Sequence, residues 1–141
     1  MARVIPAVIR SNRGQAVVEF ALVFPLMLVV CFGITEFGRA WMTMNILTSA
    51  AREGVRLAAV TAPDIPAVKQ RVHDVCDAAR VVPSTITVVP PNPNDAQRRV
   101  SVTVETQFTV FSGAILGTFS GGTFSGTFPL HATSVMRYEA Q

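Results

Sequence analysis

The apolar run between Ala16 and Ile34 constrains this chain more than any other feature of its sequence. It holds 19 residues, AVVEFALVFPLMLVVCFGI, and Glu19 is the one charged residue among them. As an α-helix the run is about 28 Å long, close to the ~30 Å hydrocarbon core of a bilayer. The sequence therefore predicts one membrane-spanning helix near the N-terminus. A mean hydropathy of +0.41 agrees with such a segment.

Positive charge is concentrated ahead of the apolar run. Arg3, Arg10 and Arg13 precede it, whereas from residue 14 onward nine Lys and Arg are balanced by nine Asp and Glu. By the positive-inside rule the N-terminus is predicted to be cytoplasmic and the residues after the helix to lie outside. Arg98 and Arg99 form the one later basic pair, too little clustered charge to predict nucleic-acid binding.

The helical pattern continues beyond the apolar run to about residue 60, with one apolar and one polar face. Pro25 is predicted to kink the membrane segment, Trp41 to lie at the membrane interface, and Gly54 to cost the helix about 1 kcal/mol. The apolar face consists of Trp41, Met44, Leu47, Ala51, Val55 and Ala58. The polar face consists of Arg39, Asn45, Ser49, Arg52, Glu53 and Arg56.

The remaining residues predict a small mixed domain. Pro63 ends the long helix, and Asp64 is a plausible N-cap for a second helix that ends near Arg80. Alternating and β-branched residues predict strands at 86–89, 100–110 and 130–138, whereas the Gly- and Phe-rich stretch 111–128 predicts no definite element. The predicted class is α+β: a long N-terminal transmembrane and amphipathic helix, a short helix and a small antiparallel sheet.

The segment RGQAVVEF at 13–20 carries the strongest functional signal. Gly14 ends a basic leader, and five residues later Glu19 places a carboxylate inside the predicted hydrocarbon. A lone carboxylate there costs several kcal/mol unless it finds a partner or a proton, so it marks a functional position.

This segment resembles the processing site of type IV-like prepilins, and its Glu-Phe order is similar to the Glu-Tyr of tight-adherence (Flp) pilins. The resemblance is closer still to the TadE-like pseudopilins of that system, and it extends from about residue 13 to residue 60. Its matching pieces are RGQAVVEFAL at 13–22, Pro25, EFGR at 36–39 and AAREGVR at 50–56, with a weaker match in SVMRY at 134–138. The resemblance leaves TadE, TadF and TadG types open, and the short C-terminal part favours the two small types.

The resemblance implies a non-enzymatic, cofactor-free subunit in the biogenesis of an adhesive pilus. A prepilin peptidase would cut between Gly14 and Gln15, with Glu19 and Phe20 serving peptidase recognition and helix register. The implied partners are that peptidase, other pilins and pseudopilins, the inner-membrane assembly platform and the lipid bilayer. The implied domains are a leader (1–14), a transmembrane and assembly helix (15–60) and an extracytoplasmic α+β domain (61–141), anchored by a single pass in the bacterial cytoplasmic membrane.

The alternative function is a secreted or anchored extracytoplasmic binding domain with an ordinary signal sequence or an uncut anchor. The apolar run is longer than the core of an ordinary signal peptide and contains Glu19, which favours the pilin interpretation.

Other candidate sites are weak. His73 and Asp77 lie one helical turn apart but lack further metal ligands, and no catalytic constellation is recognisable, so no metal and no enzyme is predicted. Cys31 and Cys76 are too far apart in the predicted layout to pair, and Cys76 is predicted to be buried. The neighbours at 36 and 39 are predicted to form an ordinary surface ion pair.

Overall fold

Five elements follow one another in the order helix, helix, strand, strand, strand. The computed structural model describes residues 12–61, 64–92, 94, 97–111 and 126–139. They form α1 (Asn12–Val60), α2 (Ile65–Ala78), β1 (Thr85–Val89), β2 (Arg99–Thr109) and β3 (Thr127–Arg137). The predicted α+β class is confirmed. The Gly- and Phe-rich stretch 111–128, for which no element was predicted, lies mostly outside the described residues. The chain divides into two compact units, Met1–Thr35 and Glu36–Gln141.

The first unit exposes an almost entirely apolar helical surface. Leu22 is 74% exposed and Ile34 is 68% exposed. An 18-residue window of the helix has a mean hydropathy of 2.6, and none of that window is buried within the protein. Lipid or other apolar helices must therefore cover this surface. Among the described residues α1 is the one helix long and apolar enough to cross a membrane, which supports single-pass anchoring.

A hydrophobic core joins both helices and the sheet in the second unit. α1 contributes residues at helical spacing, α2 contributes every fourth residue, and β2 contributes every second residue, as their geometries require. The buried side chains include Leu47, Ala51, Val55 and Ala58 of α1, Val68, Val72 and Cys76 of α2, and Val100, Val102 and Val104 of β2.

The three strands form an antiparallel sheet in which β2 lies between β1 and β3. Val104 pairs with Ile86 on one side and with Ala132 on the other, so these three side chains share the face that packs on the helices. On the opposite face the hydroxyl groups of Thr103 and Thr133 lie 2.9 Å apart in a hydrogen bond. One apolar and one polar face is the pattern that the alternation in β2 predicts.

Specific backbone contacts mark the helix ends. The Asp64 carboxylate accepts a hydrogen bond from the backbone N–H of Ala67 at 3.3 Å, which confirms the predicted N-cap of α2. α2 ends at Ala78, two residues earlier than predicted. The backbone N–H of Glu139 donates to the carbonyl of Ala59 at 3.1 Å, so the residue that follows β3 satisfies a carbonyl in the last turn of α1.

The buried stripe of α1 is shorter than its apolar face. Trp41 is 63% exposed and Met44 is 38% exposed, although both continue the apolar spacing of the core positions. Complete burial on this helix begins at Leu47. The predicted apolar face of α1 is therefore buried only in part, and Trp41, which was predicted to lie at the membrane interface, is exposed.

Gly54 is a packing requirement and not merely a tolerated cost to the helix. A β-carbon at this position would lie 2.6 Å from Cγ2 of Val72 and 3.3 Å from Cγ1 of Val102. Both valines are fully buried and β-branched, so neither can move aside by changing rotamer. The absent side chain of Gly54 lets α1, α2 and β2 approach one another.

We expect Gly54→Ala to lower the free energy of unfolding by about 1–3 kcal/mol, because overpacking outweighs the ~1 kcal/mol gain in helix propensity. Thermal unfolding of the detergent-solubilised chain measures this effect. Gly38→Ala is the matched control, because a β-carbon there meets nothing within 4 Å. Equal melting temperatures for the two variants would contradict the packing role of Gly54.

Candidate processing and assembly site

The first turns of α1 place the predicted processing residues on one short helical stretch. α1 begins at Asn12, so Gly14 lies within its first turn instead of preceding the helix. The side-chain amide of Gln15 donates to Oε1 of Glu19 at 3.1 Å, and both side chains are exposed. The carboxylate thus has a polar partner one turn earlier on its own helix. Sequence reasoning missed this contact, although Gln and Glu four residues apart is a spacing that brings side chains together.

Two phenylalanines and a proline follow these residues along the helix. The rings of Phe20 and Phe24 stack with their centroids 5.2 Å apart, and both side chains are exposed. Pro25 lies inside α1, and the helix continues on both sides of it. The kink at Pro25 and the recognition roles of Glu19 and Phe20 stay predictions.

Glycines leave open surface along α1. A β-carbon added at Gly14, Gly33 or Gly38 would meet no atom within 4 Å. Small residues on a membrane helix allow another helix to approach its backbone closely. These positions are therefore available for contacts with a partner, in contrast to Gly54.

Glu36, the first residue of the second unit, has a more specific role than the predicted surface pair. Its side chain is only 11% exposed, and its Oε2 lies 2.8 Å from the Arg39 guanidinium. Its Oε1 accepts a hydrogen bond from the backbone N–H of Phe111 at 2.5 Å. Arg39 also lies over the ring of Phe108, 5.2 Å from its centroid. The ion pair is confirmed, but its interpretation as an ordinary surface pair was wrong, because Glu36 binds the chain just beyond β2.

Glu53 links the two helices beside Gly54. Its Oε1 accepts hydrogen bonds from Nη2 of Arg71 at 2.8 Å and from Nε at 3.2 Å, and Arg56 lies 3.6 Å from its other oxygen. The hydrogen bonds from Arg71, reinforced by the charge of Arg56, lower the pKa of Glu53 below its usual range. Glu53 therefore stays ionised in neutral and mildly acidic solution, and the link between α1 and α2 persists there.

The remaining titratable candidates of the second unit do not come together. His73 and Asp77 are both exposed on α2, and no group of three or more metal-binding side chains occurs among the residues that the structure describes. Cys76 is buried, as predicted, and its burial raises the pKa of the thiol. Cys31 and Cys76 are both free.

We expect Glu36→Ala to accelerate amide hydrogen exchange at Phe111 by about 10-fold or more, because a hydrogen bond to a charged group contributes roughly 1.5–3 kcal/mol. Residue-resolved exchange on the full chain measures this. The amide of Tyr138, which bonds Arg98 at the other end of the sheet, should keep its rate.

Asp77→Ala is the control for Glu36→Ala, since it removes an exposed carboxylate that has no hydrogen bond within the described part of the chain. Unchanged exchange at Phe111 in Glu36→Ala, or equal acceleration in both variants, would show that Glu36 does not hold this segment.

Comparison with known protein families finds a match in the part of the chain that carries these motifs. The sequence model of the family described as TadE-like protein matches residues 14–56, less than a third of the chain. No curated protein and no solved structure matches. A TadE-like segment suggests involvement in the tight-adherence pilus system together with its other components, and a structural instead of an enzymatic role. The segment 14–56 is therefore TadE-like, as its motifs predict.

Proposed function

We propose that this chain is a pseudopilin, or minor pilin, in the biogenesis of a tight-adherence pilus that supports surface adhesion. The observation that carries the proposal is the TadE-like match over an exposed apolar helix whose early carboxylate, Glu19, follows Gly14 by five residues. Such a helix needs other helices or lipid around it, and a buried carboxylate needs a cationic or hydrogen-bonding partner. Packing between pilin subunits supplies both.

Processing by a prepilin peptidase removes the leader that precedes Gln15. The scissile bond between Gly14 and Gln15 lies in the first turn of α1, where the first four backbone N–H groups have no helical carbonyl partner. Unwinding this turn is therefore cheap, and Gly14 lowers the cost further because glycine disfavours the helix. The peptidase can draw the bond into an extended conformation without disturbing the apolar helix that follows.

The leader sets the orientation of the precursor in the bacterial cytoplasmic membrane. Its three arginines favour a cytoplasmic N-terminus, and the α+β unit that follows the helix then lies outside. Cleavage removes these charges and creates a new α-amino group on Gln15. The positive charge that favours insertion is thus absent when the helix leaves the bilayer for the pilus.

Glu19 sets the register between neighbouring subunits. Oε1 of Glu19 accepts from the Gln15 amide of its own helix, and a carboxylate has further lone pairs on its second oxygen. That oxygen is available for the α-ammonium group of a neighbouring subunit. Removing either partner would leave a charge buried without compensation, so one register between the helices is favoured.

The mature N-terminus tests the processing step. We expect mass spectrometry of the protein from cells that contain the peptidase to identify Gln15 as the first residue. Gly14→Val should block the cut and leave the leader attached, because a bulky residue replaces the glycine that precedes the scissile bond. Gly33→Ala, at an open position farther along the helix, is the control and should be processed normally.

The same experiment separates the competing functions. A first residue beyond position 38 would identify an ordinary secreted domain and contradict the proposal. An intact leader in cells with an active peptidase would instead identify a permanent anchor. Normal pili in cells that carry only Gly14→Val would contradict the role of this subunit in pilus biogenesis.

We expect Glu19→Val to insert in the membrane yet to reduce assembly with the other pilus subunits by roughly 10-fold or more, because the paired charge that fixes register is lost. Co-purification with those subunits after crosslinking measures this. Glu19→Asp, which keeps the charge on a shorter side chain, should retain part of the assembly. Equal recovery of partners with Glu19→Val and the unmodified chain would contradict the register role.

A further inference from the structure

A cavity of about 300 Å³ lies where the chain after α2 passes the last residues of β2 and the beginning of α1 in the second unit. Two arginines line it, Arg39 of α1 and Arg80, which follows the last residue of α2 by two positions. Gln107 and Thr109 of β2 line it as well, and no carboxylate is among the described residues that do so. We call this cavity the arginine pocket and define it by these four residues.

Arg80 occupies a position at which helices commonly end with glycine. The backbone N–H of Arg80 donates to the carbonyl of Asp77 at 2.9 Å, and the N–H of Val81 donates to the carbonyl of Cys76 at 3.0 Å, the two bonds of a Schellman motif. The φ angle of Arg80 is 57°, a left-handed conformation that favours glycine. Its exposed guanidinium has no ion pair or hydrogen bond in the part of the chain that the structure describes. Strained positions of this kind cluster at binding sites.

Two backbone N–H groups of β2 are directed to the same side as the arginine pocket. The N–H of Val110 donates to the carbonyl of Gly126 at 2.7 Å, so these two residues form a hydrogen-bonded pair on the side of β3. Because such pairs alternate along an antiparallel ladder, the N–H groups of Gln107 and Thr109 point away from β3. The pairing with β1 ends at Glu105, so no described strand covers this edge. Neither N–H has an acceptor among the described residues.

Arg39 supplies the second guanidinium of the arginine pocket. Its Nη1 lies 2.8 Å from Oε2 of Glu36, and its guanidinium lies over the ring of Phe108, which also lines the cavity. A guanidinium has five N–H donors, so Arg39 retains donors for a ligand beside its bond to Glu36. Glu36 offsets one of the two positive charges, and one remains. Guanidinium groups and free backbone N–H groups together are the donors that bind a phosphate group.

The place of Arg39 along α1 indicates where such a phosphate comes from. Arg39 follows Ile34, the end of the apolar run, by five residues, which is about 7.5 Å along the helix. The headgroup layer on each side of a bilayer is roughly 5–8 Å thick. When the apolar run fills the hydrocarbon core, Arg39 therefore lies at the depth of the lipid phosphates.

We propose that the arginine pocket binds the phosphate group of an anionic phospholipid. The single negative charge of the phosphodiester matches the one uncompensated positive charge of the pocket. The guanidinium of Arg80 and the backbone N–H groups of Gln107 and Thr109 donate to the phosphate oxygens, and Arg39 adds its charge from the side of α1. The proposal rests on membrane anchoring and goes beyond the pilus function, because a lipid bound in this way holds the pocket at the membrane surface.

Residue-resolved amide hydrogen exchange on the full chain in dodecyl maltoside micelles tests the proposal. Dioleoylphosphatidylglycerol is the probe, and dioleoylglycerol, which has the same acyl chains but no phosphate, is the comparison. We expect phosphatidylglycerol to slow exchange at Gln107 and Thr109 by about 10-fold or more, because both amides gain a hydrogen bond to a charged group. Dioleoylglycerol should leave both rates unchanged.

Arg80→Gly is the decisive variant, because it removes the guanidinium while glycine suits the backbone conformation of this position. We expect it to unfold at a higher temperature than the unmodified chain and to lose the slowing by phosphatidylglycerol. Arg80→Lys should keep part of the slowing, since lysine retains the charge but not the planar fork. Arg98→Gly is the matched control, because Arg98 is also an exposed arginine with a positive φ angle, 42°, but precedes the other end of β2.

Several outcomes would overturn the proposal. These are undiminished slowing in Arg80→Gly, an equal loss of slowing in Arg98→Gly, or slowing by dioleoylglycerol. Inorganic phosphate that slows both amides as strongly as phosphatidylglycerol at the same concentration would assign the pocket to a soluble anion instead. Because the purified chain needs no cleavage to bind lipid, failure here leaves the pilus proposal standing, and an uncut N-terminus in cells leaves this one standing.

Discussion

The close approach of α1, α2 and β2 around Gly54 is the contact on which the second unit depends. The apolar face that α1 carries in the second unit stabilises the fold only if it is shielded from water. The glycine brings Val72 and Val102 within van der Waals reach of the helix backbone, and the Glu53–Arg71 pair joins the same two helices at their polar border. Packing and charge thus act at neighbouring residues, and together they fix which face of α1 belongs to the core.

The same helix meets two different environments along its length. From Phe20 to Ile34 its side chains are apolar and exposed, whereas from Leu47 onward one face is buried against α2 and the sheet. Between these regions lie the Glu36–Arg39 pair and the exposed aromatic rings of Phe37 and Trp41, which stack 6.3 Å apart. The amphipathic indole of Trp41 is a side chain that a boundary between lipid and water favours. The transition is therefore encoded in the order of residues along a single helix.

Local patterns predicted most of the elements, because they depend on residues that are close in sequence. The apolar run, the Asp64 cap and the alternation of β2 each carry their own signal, and all three predictions were confirmed. Contacts between distant residues carry no such signal. Glu36 gives no hint of Phe111, 75 residues later, and the meeting of Arg99 with Arg137 follows from strand register. Gly54 was predicted only to lower the stability of the helix, because the sequence alone does not show which residues of other elements pack against it. The Gln15–Glu19 contact, by contrast, was within reach of sequence reasoning.

The contact between Glu139 and Ala59 has a consequence for the order in which the protein is made. The membrane helix is complete once about sixty residues have been synthesised, but the end of that helix is closed by a residue that follows the last strand. The central strand β2 likewise lacks one neighbour until β3 has emerged. The second unit therefore completes its fold only after residue 139 has been synthesised. A chain interrupted before β3 would leave β2 with an open edge that other strands could pair with.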